Sequence, residues 1–169
     1  MRTSVDVHNF LVEREVPHEV FSTQGRLATA ESLAAVLDLP PGEVGKVVVF
    51  AGEADPGGIA AVVPSGSTAR VRRVREATGR SDLKVAGGDR VAELTDFLPG
   101  TVPPAGLPAD VTVVVDRSLD REDVLYFLGG EPRIVLKIRG TDLVRATGAT
   151  VAPIASPSSA RGASGAGAP

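Results

Sequence analysis

Residues 39–50 read LPPGEVGKVVVF. Pro40 and Pro41 stop whatever helix precedes them, since the residue before a proline is pushed out of the helical region and proline itself lacks an amide hydrogen. After Gly42, Glu43, Val44 and Gly45, Lys46 opens the apolar run KVVVF, which reads as a buried strand. A second run, IAAVV at 59–63, follows the turn-rich linker AGEADPGG. Together they predict a hairpin with a long loop. Lysine is strongly hydrated and rarely goes fully inside a protein unpaired. Lys46 therefore either marks where the chain enters the core, snorkelling to water, or aims a compact point charge at an anion such as phosphate.

On the N-terminal side, residues 4–16 read as a helix capped by Ser4, with Val7, Phe10, Leu11 and the stem of Arg14 on one stripe and Pro17 ending it. HEVF at 18–21 is short and extended. ATAESLAAVLDLP at 28–40 is a second helix, with Thr29 as N-cap, Glu31 near the positive end of the dipole, and Leu33, Val36 and Leu37 facing inward. On the C-terminal side, STARVRRVREATG at 67–79 predicts a helix capped by Ser67 or Thr68, apolar along Val71, Val74 and Ala77, and closed by Gly79. DLKVA at 82–86 is a brief strand and DRVAELTDF at 89–97 one or two helical turns. LPGTVPPAGLP at 98–108 is a loop. VTVVV, VLYFL and RIVLKI are further strands. TDLVRATG at 141–148 is a last helix, capped by Thr141 and stopped by Gly148. Several strand connections lack a helix of crossover length, which argues against a doubly wound parallel sheet. A mixed, largely antiparallel sheet or partly closed barrel, with helices around it, is expected for one domain over residues 1–154. The remainder, ASPSSARGASGAGAP at 155–169, is low-complexity and reads as a disordered tail.

Composition narrows the chemistry. The 169 residues are 43% hydrophobic and 23% charged, enough for a sizeable core, and with 4% aromatics that core must be mostly Val, Leu and Ala. A net charge of −3 means that any nucleic-acid binding must come from a local patch. The absence of cysteine excludes disulfides, thiolate metal sites and a cysteine nucleophile. Two histidines make a histidine-rich metal site unlooked for. Acids punctuate the first sixteen residues, unlike a signal peptide, and no apolar run nears the roughly 20 residues of a membrane span, so a soluble cytoplasmic protein is expected.

Four further features invite a functional reading. The loop GTVPP, Gly100 to Pro104, is either a plain surface turn or a rigid cradle whose amides face a ligand carbonyl, because proline fixes φ and glycine removes the side chain. Gly129 and Gly130, between VLYFL and RIVLKI, are either a type I′ or II′ hairpin turn or a close backbone approach to a ligand. Arg70, Arg72, Arg73 and Arg75 form either a solvated helix face or a patch for a nucleic-acid backbone. Asp116, Asp120, Glu122 and Asp123 read as an Asp-rich turn rather than a general acid–base pair. GxSxG, HExxH, the P-loop pattern and GxGxxG are all missing.

Taken in order, HNFLVEREVPHEVF, TAESLAAVLDLPPGEVGKVVVF, AAVVPSGSTARVRRVREATG, VAELTDFLPGTVPPAGLP, VTVVVDRSL, VLYFLGGEP and RIVLKIRGTDLVRATGA resemble the YbaK/ProX-like family of aminoacyl-tRNA editing (deacylase) domains. The resemblance runs from residue 4 to residue 154. It implies a mixed α/β (α+β) fold around a sheet curled into a barrel-like core. It also implies hydrolysis of the ester joining a wrongly attached amino acid to the tRNA terminal adenosine, with Cys-, Ala- or Ser-tRNA-Pro as expected substrates. No cofactor, metal or Ser/His/Asp triad is implied, and the nucleophile is a water or a group of the substrate. Lys46 is implied to bind near the terminal nucleotide. Gly100 and Pro104 frame the catalytic loop. Phe21, Val47, Thr101, Val102, Gly129 and Gly130 are implied to contact substrate, and the four arginines the tRNA backbone. The implied partners are the acceptor end of an aminoacyl-tRNA and, as a candidate, a prolyl-tRNA synthetase. A chain of this length leaves no room for a synthetase catalytic domain, so a free-standing, trans-acting deacylase is expected, with a non-catalytic tRNA- or synthetase-binding module as the alternative. Two positions depart from the pattern. Val47 stands where some members carry Thr or Asn, and Val135 where some carry an aspartate, so the amino acid removed is left open.

Overall fold

The computed structural model of the protein describes residues 1–27, 29–53 and 57–157. In chain order the elements are α1 (Ser4–Glu13), β1 (Glu19–Ser22), α2 (Ala30–Leu37), β2 (Gly45–Ala51), β3 (Ile59–Pro64), β4 (Ser67–Ala69), α3 (Val71–Thr78) and β5 (Lys84–Val85). There follow α4 (Gly88–Thr95), β6 (Thr112–Asp116), β7 (Val124–Leu128), β8 (Ile134–Arg139), α5 (Gly140–Thr147), β9 (Thr150–Ala152) and β10 (Ala155–Pro157). A 3-10 turn, Pro41–Glu43, lies between α2 and β2.

The strands form a five-stranded sheet in the order β5-β2-β3-β6-β9, a three-stranded sheet β1-β8-β7, and the pair β10-β4. Pairing is parallel at β3–β6 and β6–β9 and antiparallel elsewhere. A mixed, largely antiparallel α/β fold is therefore present. It does not close into a barrel: among the described residues the two larger sheets are joined by a single parallel bridge, Val44 to Tyr126.

The continuous apolar runs have a simple cause. In β3, Ala60 and Val62 enter one core while Ile59, Ala61 and Val63 enter another. β6 divides likewise, Val113 and Val115 against Val114. Both faces of the sheet are covered, so no position is left for a polar residue. The larger core includes Val7 and Leu11 of α1, Leu94 of α4 and Leu143 of α5. The second includes Val74 of α3. A third cluster seats Ala30, Leu33 and Ala34 of α2 against Leu128 and Val135 of the three-stranded sheet. Each fully buried Leu or Phe contributes on the order of 1.5–3 kcal/mol.

Several local expectations are corrected. The α1 cap is Thr3: its Oγ1 accepts from the Val5 amide at 3.3 Å, and Asp6 Oδ2 accepts from the Thr3 amide at 2.8 Å. Ser4 is drawn away instead, its amide and hydroxyl both donating to the Glu131 carboxylate. Val36 faces solvent, because α2 buries only the stripe of Ala30, Leu33 and Ala34. Ser67 and Thr68 cap nothing; they pair in β4 with Pro157 and Ser156 of β10. The three residues 155–157 thus belong to a sheet rather than to the tail; residues 158–169, like Ala28 and positions 54–56 of the β2–β3 linker, lie outside the described residues. α5 begins at Gly140, not after Thr141, and has no side-chain cap. Its first amides donate to backbone carbonyls, Gly140 to Asp123 at 3.2 Å and Thr141 to Arg121 at 3.0 Å. A β-carbon on Gly140 would lie 1.9 Å from the Leu119 carbonyl oxygen, so only glycine allows this approach. The Gly129-Gly130 pair opens a five-residue connection rather than a two-residue turn, with the Gly129 amide donating to the Ile134 carbonyl at 2.8 Å.

Candidate active site

Lys46 is the second residue of β2, where the strand leaves the 3-10 turn. Strand pairing sets it opposite Val63. Its ammonium reaches α2 and donates to Glu31 Oε1 at 3.3 Å. The lysine side chain is only 26% exposed, the glutamate 56%. α2 presents Glu31 there because Thr29, the N-cap, accepts from the Ser32 amide at 3.0 Å and so orients the first turn.

Beneath this pair lies a cavity of about 340 Å³. Thr29, Glu31 and Lys46 form its polar lining. The rest is apolar or backbone: Val47 and Val49 of β2, Ala86 beyond β5, Val91 of α4, Phe127 and Leu128 of β7. Gly45 fits because nothing else would: an added β-carbon would sit 2.1 Å from Cε1 of the buried Phe127 ring. The 98–108 loop adds Pro99, Gly100 and Val102 to the lining. Gly100 has φ +89°, a conformation that side chains resist. The Thr101 amide and hydroxyl are both taken by the Leu98 carbonyl, at 3.1 and 2.7 Å. The amides of Gly100 and Val102 have no hydrogen-bond partner among the described residues. The structure therefore brings together a half-buried cation, a carboxylate, an apolar chamber and a glycine turn with amides to offer.

It does not bring every expected residue there. Pro104 lines a separate hollow of about 240 Å³ with Phe10 and Arg14 of α1, and Thr101 turns toward Leu98 and Pro132. The loop's share of the cavity is thus Pro99, Gly100 and Val102. Phe21 packs in the α2 cluster without lining the cavity. Gly130, at φ +98°, lies against the Phe97 ring and the Ser4 amide, and Leu128 rather than either glycine reaches the cavity. α3 covers the second core, so its arginines sit on the other face of the five-stranded sheet. There Arg75 donates twice to the Leu83 carbonyl, Arg73 to Pro153, and Arg72 pairs with Glu76 at 3.7 Å. Val135 is fully buried beside Leu128. Pattern reading missed Glu31's place at the cavity and the contributions of Val91, Phe127 and Leu128, which are set by long-range packing.

Elsewhere, Lys137 is perturbed by its surroundings: a hydrogen bond from its ammonium to Glu19 at 3.0 Å, helped by the nearby Tyr126, raises its pKa above the ordinary 10.5. No group of three or more His, Asp or Glu side chains suited to a metal occurs among the described residues. None of the described helices is long and apolar enough to cross a membrane.

Comparison with known proteins gives concordant results. Residues 25–146 match the profile of the aminoacyl-tRNA editing domain. No curated protein matches the chain. Among solved structures, the hypothetical protein APE2540 is 30% identical, with a TM-score of 0.82 over 89% of this chain and 99% of its own. A protein proposed to be a trans-editing enzyme for prolyl-tRNA synthetase is 25% identical, with a TM-score of 0.78 over 92% of this chain and 98% of its own.

Proposed function

The chain belongs to the aminoacyl-tRNA editing domain family, and from that premise we propose that it is a trans-acting deacylase of mischarged tRNA, with Cys-, Ala- or Ser-tRNA-Pro as its substrate class. One observation carries the reading: Lys46 and the Gly100 turn, 54 positions apart in sequence, line the same cavity. The similarity in length and fold to a protein proposed as a trans-editing enzyme supports action in trans.

In this reading Lys46 exchanges Glu31 for a phosphate of the terminal nucleotide. The ester then lies across the cavity, its carbonyl oxygen against the Gly100 amide and its amino-acid side chain among Val47, Val49 and Val102. An aminoacyl ester is already labile, so positioning and carbonyl polarisation suffice; one oxyanion-type donor contributes roughly 3 kcal/mol. Water, or a nucleophilic group on the substrate's own acyl side chain, adds to the carbonyl carbon and gives up a proton. The carbon–oxygen bond to the ribose breaks, and the ribose oxygen takes up a proton. No metal or cofactor enters the step.

The test is release of amino acid from Cys-, Ala- and Ser-tRNA-Pro against the spontaneous rate, with chelator present. Accelerated release of at least one supports the reading. Binding of all three without release would make the chain a tRNA-binding module of the same fold and overturn it. The partners in this reading are the acceptor end and, downstream of it, a prolyl-tRNA synthetase.

A further inference from the structure

Glu31 is a charge that the deacylation chemistry leaves unused. It lines the same cavity as Lys46, and its Oε1 is 3.3 Å from the lysine ammonium. Thr29, the remaining polar side chain of that lining, is occupied as the cap of α2. The charged lining is therefore one cation and one anion, side by side at an apolar chamber.

We propose that Glu31 receives the free α-ammonium of the acyl group, so that the site selects aminoacyl esters whose amine is unblocked. This deepens the deacylase reading and rests on it for the class of ligand. The argument is charge conservation at the mouth. To bind a phosphate, Lys46 must let go of Glu31. A substrate bringing only an anion would leave that carboxylate without its cation, facing an apolar cavity. A substrate that also brings an ammonium replaces both halves of the ion pair, and no charge is stranded. An ester with an acylated amine, as at the end of a peptidyl-tRNA, satisfies Lys46 and penalises Glu31. Selectivity then comes from the unpaired partner as much as from the new contact. Because Glu31 is 56% exposed, water offsets part of that penalty. The expected discrimination is accordingly modest, about tenfold, or roughly 1.4 kcal/mol.

The probe is a hydrolysis-resistant analogue, 3′-alanylamino-3′-deoxyadenosine 5′-monophosphate, beside its N-acetyl derivative. Affinities are measured by calorimetry for the wild-type protein and for Glu31→Gln, each variant's fold being verified by its thermal melt. The wild type is expected to bind the free amine about tenfold more tightly. Glu31→Gln brings the two within about twofold and binds the N-acetyl form at least as well as the wild type, since Lys46 is released. The wild-type preference fades as pH rises through the α-amino range near 7.7–8.0, which a merely structural glutamate would not produce. Equal affinities in the wild type, no binding of either probe, or a preference that survives Glu31→Gln overturns the proposal. The two readings fail separately. Amine preference without release from any mischarged tRNA upholds Glu31 and sinks deacylation; deacylation without amine preference does the reverse.

Discussion

Lys46→Ala separates a cation that grips substrate from one that merely ends a strand, because the two roles predict opposite ratios of activity loss to stability loss. On the stability side, the ammonium has one partner among the described residues, Glu31 at 3.3 Å, with side-chain exposures of 26% and 56%. A pair so open to water contributes at most about 1 kcal/mol. For a chain of this size that is a fall in Tm of about 2–4 °C. On the activity side, a phosphate seated on the ammonium at ~4 Å interacts by ~1 kcal/mol in bulk water and ~4 kcal/mol at a protein surface. The half-buried mouth lies between these limits, so kcat/KM should fall roughly 10- to 1000-fold. Lys46→Met keeps the aliphatic stem but also loses the ion pair, so its melt should fall no further than the alanine variant's while its activity falls as far. The assay is single-turnover deacylation of the preferred mischarged tRNA at two salt concentrations, with melts of all three proteins. The salt dependence should also lessen, by a log–log slope of about 0.7–0.9 for one phosphate contact. Activity within threefold of wild type would refute the reasoning, as would a melt lowered by more than ~6 °C, which would make the lysine structural.

Gly45→Ala pushes a methyl into the Phe127 ring, whose Cε1 would lie at 2.1 Å; the expected outcome is a loss of about 1–3 kcal/mol and a raised KM, and an unchanged KM would show that the ring does not shape the cavity. Asp116→Ala removes a buried carboxylate that accepts from the Ile154 and Ala155 amides at 2.9 Å each and from Ser118. Stability should fall by about 3 kcal/mol, with faster hydrogen exchange at the 154 and 155 amides, and unchanged exchange there would show that something else holds β10. Glu19→Gln removes the chief cause of the raised Lys137 pKa, so the lysine should titrate nearer 10.5 by NMR. A raised folded pKa stabilises at pH below the unfolded value and is lost as pH climbs through the folded one. Wild type and variant should therefore differ in stability below the ordinary lysine value of 10.5 and converge only as pH climbs past it through the raised folded value, and convergence near neutrality would contradict the assignment.

How much of this was legible in the sequence depended on the range of the interaction. The β2–β3 hairpin was readable because its signal is local: two apolar runs with a turn-rich linker between them. The Thr29 cap was readable for the same reason. Ser67 and Thr68 misled because the side-chain types that cap helices also occupy strands, and the deciding partner, β10, is ninety residues away in a segment whose Ala, Ser and Pro composition reads as tail. Gly140 illustrates the same limit: nothing near it says that a helix can begin without a side-chain cap when carbonyls 121 and 123 lie against its first turn.

The candidate site divides along the same line. Lys46 stood out because a charge at the head of KVVVF breaks a local rule, and Gly100 because a loop dense in Pro and Gly asks what its backbone is held for. That the two share a cavity is a tertiary fact with no local signature. Glu31 was invisible as a site residue because an acid in the first turn of a helix already has a sufficient explanation in the helix dipole. Structure adds a second explanation without removing the first: the same carboxylate that suits the helix N-terminus is the one the lysine must relinquish. A residue with a complete local rationale can still carry a long-range function, and charge balance at the cavity, rather than any violated propensity, is what reveals it.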